Sequence, residues 1–133
     1  MCEVRGTVAN RLAIGVIDDD ASVREALKGL LRASGFSVEV FSSAEEFLTS
    51  GDLEDTACLI LDVRMPGMSG FDLQERLKAS QVAIPVIFIT ADGDRNVRTR
   101  ALANGAVDFL QKPFKDQALL GAIEKALGQL HSP

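Results

Sequence analysis

The chain has 133 residues, 14 Lys+Arg against 19 Asp+Glu, and a net charge of −5 at pH 7, with 47% hydrophobic and 25% charged residues. That length suits a single domain with a real core, and the composition excludes disorder for most of it. The acidic balance argues against non-specific nucleic-acid binding, no apolar run approaches the ~20 residues of a membrane span, and the N-terminus has no secretion signal.

Residues 1–11 show no period and read as a tail. Leu12–Ile17 is a short apolar run with β-branched residues, which predicts a buried strand, and it is closed by Asp18, Asp19 and Asp20. Ser22–Ser34 has Val23, Ala26, Leu27, Leu30 and Leu31 at helical spacing, with Ser22 as cap, Glu25 as its capping-box partner and Gly35 as a left-handed stop. Ser37–Phe41 reads as the second strand, and Ser43–Ser50 as a short helix with Ala44, Phe47 and Leu48 inward. Ala57–Leu61 is the third strand, followed by Asp62 and a loop holding Pro66, Gly67 and Gly70. Phe71–Ala79 is predicted helical, burying Phe71 and Leu77. Pro85–Ile89 is the fourth strand, followed by Thr90, and Pro is tolerated at a strand's first position. Asp94–Asn104 is a helix with Val97 and Ala101 inward, closed by Gly105. Val107–Leu110 is the fifth strand, followed by Lys112 and Pro113. Lys115–Leu130 is the last helix, with Leu119, Ala122, Ile123, Ala126, Leu127 and Leu130 on one stripe. Residues 12–130 thus form one unit, between a tail and the short end 131–133.

Five strand–helix pairs in alternation predict an α/β fold with a parallel sheet covered on both faces. Such sheets bind ligands beyond the carboxyl ends of their strands, where strand order reverses. The second strand contributes nothing there comparable to the aspartates and lysine that follow the others, which suits an outer position in the order 2-1-3-4-5. Cys2 and Cys58 make neither a disulfide framework nor a metal site, and suggest a reducing, cytoplasmic compartment. The lone His131 cannot build a zinc site, and without Trp or Tyr there is little to stack on nucleic acid.

Four separate stretches therefore deliver Asp18, Asp19, Asp62, Thr90 and Lys112 to one crevice. Taken singly, each has a plainer reading: helix-start acids, a turn aspartate, a strand-end threonine, a solvated lysine. Independent surface residues have no reason to gather at four selected strand ends, so the joint pattern points to chemistry. Three close carboxylates repel unless a cation intervenes, and Mg2+ suits oxygen ligands. Asp62 can then act as a nucleophile toward a phosphoryl group, with Lys112 neutralising charge and the Thr90 hydroxyl donating to a phosphoryl oxygen.

At these residues the chain resembles the receiver domain of two-component response regulators, within a FixJ-like branch. The stretches that carry the likeness are Val16-Ile-Asp-Asp-Asp20, Leu61-Asp-Val-Arg-Met-Pro-Gly-Met-Ser-Gly70, Ile89-Thr-Ala-Asp-Gly-Asp94 and Gly105-Ala-Val-Asp-Phe-Leu-Gln-Lys-Pro-Phe114. The resemblance implies a flavodoxin-like (βα)5 three-layer sandwich. It implies that Asp62 takes a phosphoryl group from a histidine kinase, and that Asp18, Asp19, Asp62 and the Arg64 carbonyl hold Mg2+. It further implies that Lys112 holds the phosphoryl oxygens, that Thr90 and Phe109 act as the switch pair, and that the Lys112–Pro113 bond is cis. The resemblance also implies self-directed phosphotransfer and autodephosphorylation rather than turnover of a separate substrate. Members use the face of the fourth helix, fifth strand and fifth helix to form homodimers or dock partners, and Arg95, Arg98 and Arg100 lie on or beside that helix. Asp92 stands where the branch often has His, and with Arg64 it is a candidate tuner of phosphoryl lifetime.

The same residues bear on three other classes. An aspartyl-nucleophile phosphohydrolase needs a second Asp two positions after the nucleophile, where Arg64 stands. A nucleotide-binding module needs a glycine- or hydroxyl-rich loop after the first strand, where three aspartates stand. A phosphorylation-independent adaptor on the same fold stays open.

Overall fold

The computed structural model describes residues 13–91 and 95–130, the last two as backbone only. Five strands, β1 (Ala13–Ile17), β2 (Ser37–Phe41), β3 (Thr56–Asp62), β4 (Val86–Thr90) and β5 (Asp108–Gln111), alternate with five helices. The helices are α1 (Ala21–Ala33), α2 (Ala44–Ser50), α3 (Gly70–Ala79), α4 (Arg95–Ala103) and α5 (Asp116–Leu130). All strand pairs are parallel, in the order β2-β1-β3-β4-β5. The reversal of order between β1 and β3 is where the expected crevice opens.

Strand alternation feeds two cores. Leu59, Leu61, Val86 and Phe88 face α2, α3 and α4, where they meet Phe47, Leu73 and Leu77. Ile14, Val16, Cys58, Ile60, Ile87 and Ile89 face the opposite way and meet Leu27 and Leu31 of α1 and Leu119, Ile123 and Ala126 of α5. Both faces of the central strands are thus buried, which is why their sequences read as unbroken apolar runs. Cys58 is a buried packing thiol, and its pKa is pushed up to about 12 by burial.

Register sets the functional end. Ile17 pairs with Leu61, Asp62 with Ile89, and Thr90 with Gln111. Asp18 and Lys112, each one residue past its strand, therefore emerge at the same level as Asp62 and Thr90.

Three helices end in the same six-residue motif, closed by paired backbone bonds. Gly35 N–H donates to Arg32 and Phe36 N–H to Leu31; Gly105 N–H donates to Leu102 and Ala106 N–H to Ala101. After α3, Gln81 N–H donates to Lys78 and Val82 N–H to Leu77. The reversing residue has φ of 95° at Gly35 and 96° at Gly105, but at α3 it is Gln81, at 62°. The Lys112–Pro113 bond is cis.

Some boundaries differ from the sequence reading. Ser22 does not cap α1: the cap is Asp20, whose side chain accepts from Ser22 N–H, and the first turn holds no acid to complete a box. Asp reaches its own backbone two residues on as readily as Ser does, and the triple aspartate hid which of its members had that task. Pro85 lies just outside β4, while Asp62 and Thr90 are the last residues of their strands. β5 runs one residue later than predicted at both ends, and Gly70 belongs to α3. The tail 1–11, Leu12, Asp92, Asp94 and His131 lie outside the described residues, as does the side chain of Leu130.

Candidate functional site

Asp18, fully buried, is fixed from two sides. Its Oδ1 accepts from the Asp20 N–H at 2.9 Å, and its Oδ2 takes the Lys112 ammonium at 2.8 Å. The Arg24 guanidinium, one turn into α1, donates to the Asp18 carbonyl at 2.7 Å. Asp19 is exposed, and Asp20 is spent on the helix cap. The run of three aspartates thus divides into two that can face a ligand and one that is structural.

Across the crevice Asp62 is 5% exposed, its Oδ1 accepting from the Arg64 N–H at 3.3 Å. Lys112 Nζ stands 3.8 Å from its Oδ2, so one ammonium serves both buried carboxylates. Carboxylate oxygens of Asp18, Asp19 and Asp62 all lie within 4.8 Å of one another. Burial pushes the Asp62 carboxyl from an ordinary 3.8 to about 6, the Asp18 charge adds to the rise, and Lys112 opposes it. At Lys112 burial disfavours the charged form, but the Asp18 hydrogen bond and the Asp62 charge outweigh it, so its pKa is raised.

Asp62, Arg64, Thr90, Ala91 and Lys112 line a cavity of about 320 Å3. It holds a carboxylate, a hydroxyl and an ammonium within one pocket, with room for a group of phosphoryl size. The Thr90 side chain is buried, and its carbonyl accepts from the Lys112 N–H at 2.7 Å, which ties the ends of β4 and β5 together. Phe109, on β5, is 5% exposed and belongs to the core that contains Phe88 and Ala101.

The loop after β3 is held by parts the sequence reading did not single out. Met68 N–H donates to Glu45 Oε2 of α2 at 2.9 Å, and Gly70 N–H donates to the Val63 carbonyl at 2.9 Å. A side chain at Gly70 would run into the Asp62 carbonyl, so only glycine lets α3 start this close to the site. Ser69 caps α3 in a reciprocal box with Asp72. Ser69-x-x-Asp72 was a readable signal; the reach of Glu45 and Arg24 across elements was not.

The donor set suits a hard divalent cation. Three carboxylates face one ammonium, a net charge of −2 when all are ionised, and a divalent cation would neutralise it. Burial is the main cause of the raised Asp62 pKa and the Asp18 charge adds to it, so added positive charge would favour the ionised carboxylate.

Residues 14–124 match the model of the response regulator receiver domain. The response regulator protein TodT of Pseudomonas putida is 52% identical over 114 residues, which cover 86% of this chain and 50% of TodT. The structure of the response regulator StyR is 53% identical with a TM-score of 0.82, covering 88% of this chain and 59% of that one. The structure of FixJ-N is 39% identical with a TM-score of 0.81, covering 88% and 94%. The chain spans about half the length of the curated relatives it matches.

Proposed function

The chain belongs to the response regulator receiver domain family, whose standard function is phosphorylation within a kinase relay, and from that premise we propose that Asp62 is its phosphoryl acceptor. The observation that carries this is the convergence of Asp18, Asp19 and Asp62 with Lys112 at one end of the sheet.

An Asp62 carboxylate oxygen attacks the phosphorus of a histidine kinase's phosphohistidine. A new P–O bond forms, the P–N bond breaks, and its electrons return to the imidazole. The Arg64 N–H holds one Asp62 oxygen and so leaves the other to attack. Lys112, already 3.8 Å from Asp62, shifts its charge from the carboxylates toward the phosphoryl oxygens as negative charge develops there. Asp18, Asp19, Asp62 and the Arg64 carbonyl would hold Mg2+, which when bound screens the carboxylates and neutralises phosphoryl charge.

Once phosphorylated, the site carries new acceptor oxygens beside Thr90. The Thr90 hydroxyl donates to one of them, and Phe109 follows into the space behind it. Their shift reshapes the face of α4, β5 and α5, through which the domain pairs with a second copy or docks an output partner. Among the described residues no helix is long and apolar enough to cross a membrane, and the cytoplasmic setting of the relay belongs to the same proposal. The chain changes only itself and is a switch rather than a turnover enzyme.

Incubation with Mg2+ and acetyl phosphate, followed by intact-mass measurement, tests the reading. One phosphoryl adduct is expected, absent in Asp62→Ala and in excess EDTA. No gain of mass under saturating donor would refute it.

A further inference from the structure

The first turn of the short helix α2 holds two neighbouring acids, Glu45 and Glu46, with different tasks. Glu46 serves its own helix. Its Oε1 accepts from the Ser42 N–H and hydroxyl, while its N–H donates to the capping Ser43 hydroxyl at 3.0 Å. Glu45 is exposed and reaches away from the helix, to a residue 23 positions along the chain, where its Oε2 accepts the Met68 N–H at 2.9 Å. The helix dipole favours an acid in a first turn wherever its side chain points, so the dipole does not explain why Glu45 meets this particular N–H.

The support on which Glu45 stands is firmly seated. Ala44 and Phe47, on either side of the two acids, are fully buried, and the Phe47 ring meets Phe41 of β2 edge-on at 5.2 Å. The loop after β3 is shaped to receive the carboxylate. Gly67 has φ of 76°, and a Cβ there would stand 2.7 Å from Glu45 Oε2. Glycine at this position thus permits both the turn and the close approach of the acid. Met65 is buried in the core that contains Phe47 and Phe71, and Met68 packs against it. The Gly70 N–H clasps the Val63 carbonyl at 2.9 Å. Between that clasp and the Glu45–Met68 bond lies Arg64, whose N–H meets Asp62 Oδ1.

We propose that Glu45 is a positioning residue for the metal site: from α2 it fixes the loop after β3, so that the Arg64 carbonyl and the Asp62 carboxylate are pre-set for a divalent cation. This rests on the reading that those groups hold Mg2+. Pre-setting a ligand lowers the ordering cost of binding, so its loss weakens affinity and leaves the reacting groups intact. A partner bonded directly to a metal ligand is commonly worth about 10–100-fold in affinity. Glu45 acts through Met68, four residues past Arg64, so a smaller loss of about fivefold is expected.

A Mg2+ titration of the full chain, followed by the 1H–15N shifts of Asp19, Asp62 and Arg64, measures that affinity. Glu45 is exposed, so substituting it opens no core. Glu45→Ala is expected to raise the Kd about fivefold, yet to form the acetyl phosphate adduct at the parent's rate once Mg2+ is saturating. Glu45→Gln still offers an oxygen to the Met68 N–H and should bind Mg2+ within about twofold of the parent. In EDTA, the Met68 amide should move upfield in Glu45→Ala and much less in Glu45→Gln. An equal Kd in the parent and Glu45→Ala overturns the proposal. So does a Glu45→Gln variant weakened as far as Glu45→Ala, because the carboxylate would then act by its charge and not by holding the loop. A parent chain that shows no response to Mg2+ overturns the metal reading itself, and this inference with it.

Discussion

Replacing Asp62 by Asn is predicted to stabilise the metal-free protein. The native state holds the Asp62 proton to about pH 6, whereas the unfolded chain releases it near 3.8. The native carboxylate is therefore penalised wherever it is ionised: the penalty is absent below about pH 4, grows through the interval, and is complete above pH 6. At 1.36 kcal/mol per pH unit the difference amounts to about 3 kcal/mol, and solvent in the neighbouring cavity screens it to about 1–2 kcal/mol. Asn keeps the shape and can still accept from the Arg64 N–H, so charge is the main change. Urea unfolding in EDTA, followed by far-UV circular dichroism because the chain has no Trp or Tyr, should show the variant more stable at neutral pH. The gap should close as the pH falls toward 4. Added Mg2+ should narrow it at neutral pH by stabilising the parent chain, by about 2.7 kcal/mol at a hundredfold excess over Kd, and the variant less. A variant equal to or weaker than the parent in EDTA at neutral pH would refute this electrostatic account.

Other outcomes follow from the same contacts. Gln81→Gly should raise stability by about 1 kcal/mol, because Gln81 occupies the left-handed position that glycine fills after α1 and α4; thermal unfolding checks it. Lys112→Met should cost about 2–3 kcal/mol in urea unfolding, since it strands the Asp18 charge without its ammonium, and should sharply slow adduct formation by acetyl phosphate. The Asp72 carboxyl is held below its ordinary value by the Ser69 N–H and hydroxyl, so its stabilising effect is full above the unfolded-state pKa and is lost as pH falls through the native one. Asp72→Asn should accordingly flatten the acid limb of the stability–pH curve. Gly70→Ala should push α3 away from the Asp62 carbonyl and slow phosphorylation without abolishing it.

Where the chain buries both faces of a strand, the sequence was easy to read. The runs through Ile14–Ile17 and Cys58–Leu61 read as inner strands, and the first polar residues after them fall at the carboxyl end of the sheet. That logic placed Asp18, Asp19, Asp62, Thr90 and Lys112 together, and the register of β1, β3, β4 and β5 brings these positions to one end of the sheet. Local competition was harder. Three successive aspartates each fit a cap or a ligand, and it takes their contacts, Asp20 with the Ser22 N–H and Asp18 with Lys112, to separate the roles. Contacts across elements left no local trace: the hold of Glu45 on Met68, of Arg24 on the Asp18 carbonyl, and of Gln74 on Asn104 depends on helices docked on the sheet. Gln81 was invisible for the opposite reason, since the reversal after α3 lacks the glycine that marks its two counterparts.

The central claim is that one carboxylate of the cluster forms the phosphoryl ester. Borohydride reduction of the protein treated with Mg2+ and acetyl phosphate, followed by peptide mass mapping, locates that ester directly. Conversion of residue 62 to homoserine, with Asp18 and Asp19 unchanged, is the predicted result. Homoserine at another aspartate, or at none while the intact chain gains mass, would contradict the account.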